Sequence, residues 1–110
     1  MQIVRLKPYL PATRKMTFDE KAMVDIETQI LKDPEAHGKI PGLGEVRKMR
    51  FARPGMGKRG GGRVIYYVVR KRSLLAMLAA YPKSQREDLT NDDRKAILRA
   101  IESLVTEHDP

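Results

Sequence analysis

The chain contains no cysteine. Disulfides and thiolate-held metals are therefore excluded, and the redox compartment leaves no mark on the sequence. Histidine is nearly as scarce. His37 and His108 stand far apart, neither has a partner at metal-ligand spacing, and each reads as a solvent-exposed side chain. Long apolar runs are missing too. No segment is long enough to span a bilayer. The opening Met1-Gln-Ile-Val-Arg-Leu-Lys-Pro8 has no apolar stretch of the signal-peptide kind. A soluble cytoplasmic protein is the expectation. With 110 residues, 41% hydrophobic and 33% charged, one globular domain over residues 1–110 is expected, with a core two layers deep.

Acidic residues are few where basic ones are many. Residues 1–38 carry six basic and six acidic side chains, and residues 91–110 carry three and five. Residues 39–90 carry thirteen basic and three acidic, and so hold the source of the formal net charge of +8. Positive charge gathered in one stretch points to a polyanionic partner more strongly than the same charge spread evenly.

The apolar pattern reads as strand, helix, three strands, helix. Ile3, Val4 and Leu6 suit a short first strand, and a helical turn fits near Ala12–Met16. Thr17 looks like an N-cap, with Glu20 completing a capping box. Ala22, Met23, Ile26 and Ile30 follow Phe18 at helical spacing. Asp33 should end that helix, because Pro34 disfavours a helical residue before it. In Val46–Phe51, alternation puts Met49 and Phe51 on one face and Lys48 and Arg50 on the other. Arg53–Gly62 reads as a long flexible turn. Val64–Val69 is a β-branched and aromatic run of the central-strand type. Arg70–Ser73 is a turn, and Leu74–Ala80 a further strand. Thr90 should cap a last helix whose apolar stripe is Ile97, Leu98, Ile101, Leu104 and Val105. The expected fold is α+β: a mainly antiparallel sheet with helices on one face and a basic, open face opposite.

Nucleotide hydrolysis is a poor fit. Gly57-Lys58 resembles the end of a P-loop, but Ala52 stands where its first glycine belongs, and no Ser or Thr follows the lysine. A two-metal nuclease needs converging carboxylates, and the basic stretch offers only Glu45, Glu87 and Asp88. A glycine-rich turn flanked by Lys58, Arg59 and Arg63 can instead follow a phosphate backbone closely.

Three blocks carry a more specific signal. Ile40-Pro-Gly-Leu-Gly-Glu-Val-Arg-Lys-Met-Arg-Phe51, Gly57-Lys-Arg-Gly-Gly-Gly-Arg-Val-Ile-Tyr-Tyr67 and Ala80-Tyr-Pro-Lys-Ser-Gln-Arg-Glu-Asp-Leu-Thr90 occur in this order. Together they resemble the RelE/HigB family of type II toxins over roughly residues 17–105. Two departures stand out: Glu45 replaces a second glycine, and Pro82 replaces a small residue.

The resemblance implies an mRNA endonuclease acting at the ribosome, without metal or cofactor. It also implies a cognate antitoxin, in the HigB-like branch one with a helix-turn-helix domain. The implied reaction is attack of a ribose 2′-OH on the adjacent phosphate with loss of the 5′-oxygen. It needs positive charge at the phosphorane and proton transfer at each end. On this resemblance Arg63 is the phosphate-stabilising arginine, while Lys48 and Arg50 bind backbone or assist proton transfer. Lys83 is a further acid or base. Arg47, Lys58, Arg59 and Tyr81 contact RNA, with Tyr81 stacking on a base or donating a proton. An acidic antitoxin segment over Lys48, Arg50 and Arg63 would silence such a site. A non-catalytic RNA-binding module and an antitoxin-binding co-repressor are the alternatives.

Overall fold

The structure, a computed structural model, describes residues 1–53, 57–85 and 88–108, with backbone alone at 53, 57–60 and 105–108. Its elements run β1 (Gln2–Arg5), α1 (Tyr9–Lys15), α2 (Glu20–Lys32), β2 (Arg47–Arg53), β3 (Gly57–Val69), a 3-10 turn (Arg70–Arg72), β4 (Leu74–Pro82) and α3 (Asn91–His108). The α+β class is as the sequence implied. The sheet order is β1-β4-β3-β2. β2, β3 and β4 pair antiparallel. β1 joins β4 in parallel, with Gln2 opposite Leu74 and Arg5 opposite Met77, a pairing that local sequence does not reveal.

Helices cover both faces of the sheet, not one. Val64, Tyr66, Leu75 and Met77 pack with Tyr9, Met23, Ile26 and Ile30 from α1 and α2. Ile65, Leu74, Ala76 and Leu78 pack with Ile97 and Leu104 from α3. The cause is the composition of β3 and β4: both are apolar at successive positions, so each presents an apolar surface on either side. A register shift between Ile65 and Tyr66 lets Leu78 and Ala79 both serve the α3 side. It also carries Tyr81, the next α3-side residue along β4, opposite Arg63.

Local corrections have local causes. Asp19, not Thr17, caps α2, and its side chain accepts from the Ala22 amide at 2.8 Å. Thr17 turns the chain with φ of 56°. Asp33 ends the helix as expected. Thr90 caps α3 as expected, with its Oγ1 accepting from the Asp93 amide at 3.1 Å and its own amide donating to Asp93 at 2.9 Å. Within the α3 stripe, Leu98 is 52% exposed and outside the core. The long turn expected over Arg53–Gly62 shrinks, because β3 already begins at Gly57. Gly62 is needed as glycine there. A Cβ would lie 2.6 Å from Phe51 Cζ and 3.0 Å from both Met16 Cε and the Tyr81 carbonyl oxygen.

Candidate active site

Register brings the basic residues together. Arg50 of β2 lies directly opposite Arg63 of β3, which lies directly opposite Tyr81 of β4. Directly opposed residues of antiparallel strands share a face, and like charges so placed destabilise a sheet. Two arginines in that relation therefore weaken the sheet at this position.

At the same end of the sheet, the Lys83 amide donates to the Gly61 carbonyl at 2.9 Å, which holds the chain beyond β4 against β3. Arg50, Phe51, Ala52, Gly61, Arg63 and Lys83 line a hollow of about 380 Å³ there. Arg63 is only 6% exposed, and its Nη1 donates to the Gly62 carbonyl at 3.0 Å. Among the described residues no carboxylate lies within ion-pair distance of Arg50, Arg63 or Lys83. A buried guanidinium with no carboxylate is costly, and an incoming anion would offset that cost.

Lys48 shares the Arg50 face one pleat away, opposite Ile65. Its Nζ lies 3.6 Å from Asp88, in the segment that leads into α3. Glu45, a departure from the family pattern, pairs with Lys39 at 3.1 Å. Pro82 closes β4, in register with Gly62, and sets the approach to Lys83.

Two expected RNA contacts do not join this group. Arg47 pairs with Tyr66 and so lies on the opposite face from Lys48 and Arg50. Its Nη1 donates to the carbonyls of His37 at 2.6 Å and Glu35 at 3.4 Å, which ties down the loop after α2. Alternation separates neighbours along a strand, so Arg47 could not share the Lys48 face. Tyr81 is 1% exposed and belongs to the α3-side core, so its ring has no free face on which a base could stack. The side chains of Lys58 and Arg59 lie outside the described residues, although their backbone forms the start of β3. Sequence reasoning missed Gly61 as part of the lining. Its position in the glycine run opposite the Tyr-Pro-Lys segment becomes informative only once β3 and β4 are in register.

Among the described residues no three histidines or carboxylates gather as a metal site, and no helix is long and apolar enough to cross a membrane. Tyr66 donates its hydroxyl to the Pro34 carbonyl at 2.6 Å, and burial pushes its phenol up to about 12.

Comparison with known proteins agrees with this fold. The fold is similar to a double-arginine mutant of E. coli toxin RelE in the free state, with TM-score 0.59, 14% identity, and coverage of 89% of this chain and 94% of that one. It is similar to the isolated E. coli RelE toxin, with TM-score 0.54, 16% identity, and coverage of 89% and 96%. It also resembles a chain of the intact E. coli RelBE toxin–antitoxin complex, with TM-score 0.50, 18% identity, and coverage of 74% and 99%. The family model described as the RelE toxin of the RelE/RelB toxin–antitoxin system matches residues 1–109. The chain therefore belongs to the RelE toxin family and is the toxin component of a type II toxin–antitoxin system.

Proposed function

We propose that this toxin is an endoribonuclease that cleaves mRNA on the ribosome, using cations in place of metal. The observation that carries the reading is the hollow in which Arg50, Arg63 and Lys83 converge with no carboxylate at ion-pair distance among the described residues. A single phosphodiester is an anion suited to that setting.

In the proposed reaction the 2′-oxygen attacks phosphorus, the 5′-oxygen leaves, and the products are a 2′,3′-cyclic phosphate and a 5′-hydroxyl. Arg63 stabilises the charge that builds on the phosphorane oxygens, with its planar fork matched to two of them. Its burial helps, because the donor is held in place and partly desolvated before substrate arrives. Lys83 is the group placed for proton transfer. Arg50 and Lys48 hold flanking phosphates, and Lys58 and Arg59 add contacts from the β2–β3 hairpin. Asp88 occupies Lys48 until RNA takes its place. The antitoxin, proposed to carry a helix-turn-helix domain, silences the toxin by laying an acidic segment over Lys48, Arg50 and Arg63.

The test compares wild type with Arg63→Ala on mRNA in the presence of ribosomes, reading strand breaks and end groups. Loss of Arg63 should slow cleavage by about 10²–10³-fold, the usual effect of removing one donor to a developing oxyanion. Wild-type breaks should end in cyclic phosphate. RNA binding without any break in the wild type would leave a binding module and end the nuclease reading.

A further inference from the structure

A second hollow lies on the α1 side of the sheet, across β4 from the first. β1 pairs with β4 only as far as Met77, and α1 packs against β4. Between α1 and the end of β4 is a space of about 300 Å³, lined by Pro8, Pro11, Lys15, Met16, Pro82 and Gln85 together with two alanines. All of these lining residues are described, and the activity proposed above uses none of them.

The two hollows share a wall. Phe51 Cζ and Met16 Cε both lie within 3.0 Å of where a Cβ on Gly62 would stand. Phe51 lines the first hollow and Met16 the second. Pro82 lines the second and Lys83 the first, and consecutive Cα atoms are about 3.8 Å apart. The two hollows thus meet around the edge of β4, and a strand whose phosphate sits by Lys83 can pass its neighbouring nucleotide over that edge to Pro82.

The lining suits a nucleobase. Three proline rings and a methionine thioether offer flat or deformable apolar surface to the faces of a planar ring. Gln85 brings two N–H donors and one carbonyl acceptor, the complement of an unpaired base edge. Lys15 supplies an ammonium at the rim, and α1 has no acidic residue to oppose it. The volume stands at the low end for a small-molecule site, enough for one heterocycle.

We propose that this hollow is a base-recognition subsite. It takes the unpaired nucleobase adjoining the scissile phosphate, with Gln85 reading the base edge and Lys15 meeting that nucleotide's phosphate. The proposal rests on the RNA-cleaving reading above, and its continuity with the cationic hollow favours RNA over an antitoxin side chain as occupant.

The experiment first maps a cleavage site in an RNA oligonucleotide bound to ribosomes, with wild-type toxin. The scissile ribose is then 2′-O-methylated, which blocks attack and leaves an uncut ligand. Two matched oligonucleotides lack the base on the 5′ or the 3′ side of the scissile phosphate. One of them should bind wild type roughly fivefold more weakly than the complete ligand, at the low end of base-stacking effects. The double variant Lys15→Ala/Gln85→Ala alters exposed side chains only, so the fold should be retained, as far-UV circular dichroism will verify. It should bind the complete and base-depleted oligonucleotides alike. Equal binding of all three by wild type, or unchanged discrimination by the variant, overturns the subsite and leaves the nuclease reading standing. Failure of wild type to cut any RNA with ribosomes present removes both. A variant that loses affinity for antitoxin while keeping its base discrimination gives the hollow to the antitoxin.

Discussion

Arg5 should be worth about 3 kcal/mol to this fold, nearly all of it through one carboxylate. Its Nε and Nη2 donate to the two oxygens of Glu27 at 2.7 and 2.8 Å, and its Nη1 donates to Glu20 at 2.8 Å. The two acids are not equivalent. Glu20 is largely exposed, and water screens such an arm so that it contributes little, although Arg5 does hold its carboxyl below the ordinary range. Glu27 is 2% exposed, so Arg5→Met strands a buried charge, a change that typically costs about 3–5 kcal/mol. Arg5 itself is 22% exposed. Water can partly replace it, which places the expected loss near the lower end. Against a total stability of about 5–15 kcal/mol, that is a large share. Urea unfolding followed by circular dichroism should show the midpoint falling by about 1.5 M, taking a slope near 2 kcal/mol per molar. The double variant Arg5→Met/Glu27→Met should recover most of the loss, since it buries no charge. Glu20→Gln should move the midpoint little. A single variant that loses less than about 1 kcal/mol, or a double variant no better than the single, would refute the assignment of the energy to a desolvated bidentate pair.

Three further outcomes follow from the packing. Gly62→Ala should destabilise by about 1–3 kcal/mol, because the added methyl meets the Tyr81 backbone oxygen as well as two side chains; a melting temperature equal to wild type would contradict the close approach. Tyr9 is fully buried, and its hydroxyl has no hydrogen-bond partner among the described residues. Tyr9→Phe should therefore be neutral or stabilising, by up to about 1 kcal/mol, and a clear loss in urea unfolding would mean that the hydroxyl is satisfied after all. Stability should fall as pH rises from about 10 to about 12. Burial raises the folded-state value of Tyr66 and pushes Tyr9 the same way, so both phenols favour the protonated form in the fold, and their contribution is lost as they ionise. Unfolding midpoints across that range check it, with Tyr66→Phe showing a shallower decline.

Much of the site could be read from residue order. The alternation of Val46–Phe51 put Lys48 and Arg50 on one face, and the structure keeps them there. The same alternation puts Arg47 on the other face, and the structure keeps it there, opposite Tyr66. Tyr81 differs. In sequence it is a tyrosine beside Pro-Lys, equally suited to surface or core. Only the register shift in β4 and the arrival of α3 bury it.

By itself the sequence determined the element types, the α3 cap, the segregation of positive charge and the family, because each depends on neighbours along the chain or on spacing within one element. Tertiary structure decided which face each helix covers, the parallel docking of β1, the Arg5–Glu27 pair and the meeting of Arg50, Arg63 and Lys83 around one hollow. Those features join residues from separate elements. Their partners are selected by register and by which apolar surfaces remain to be buried, and no local pattern encodes that choice.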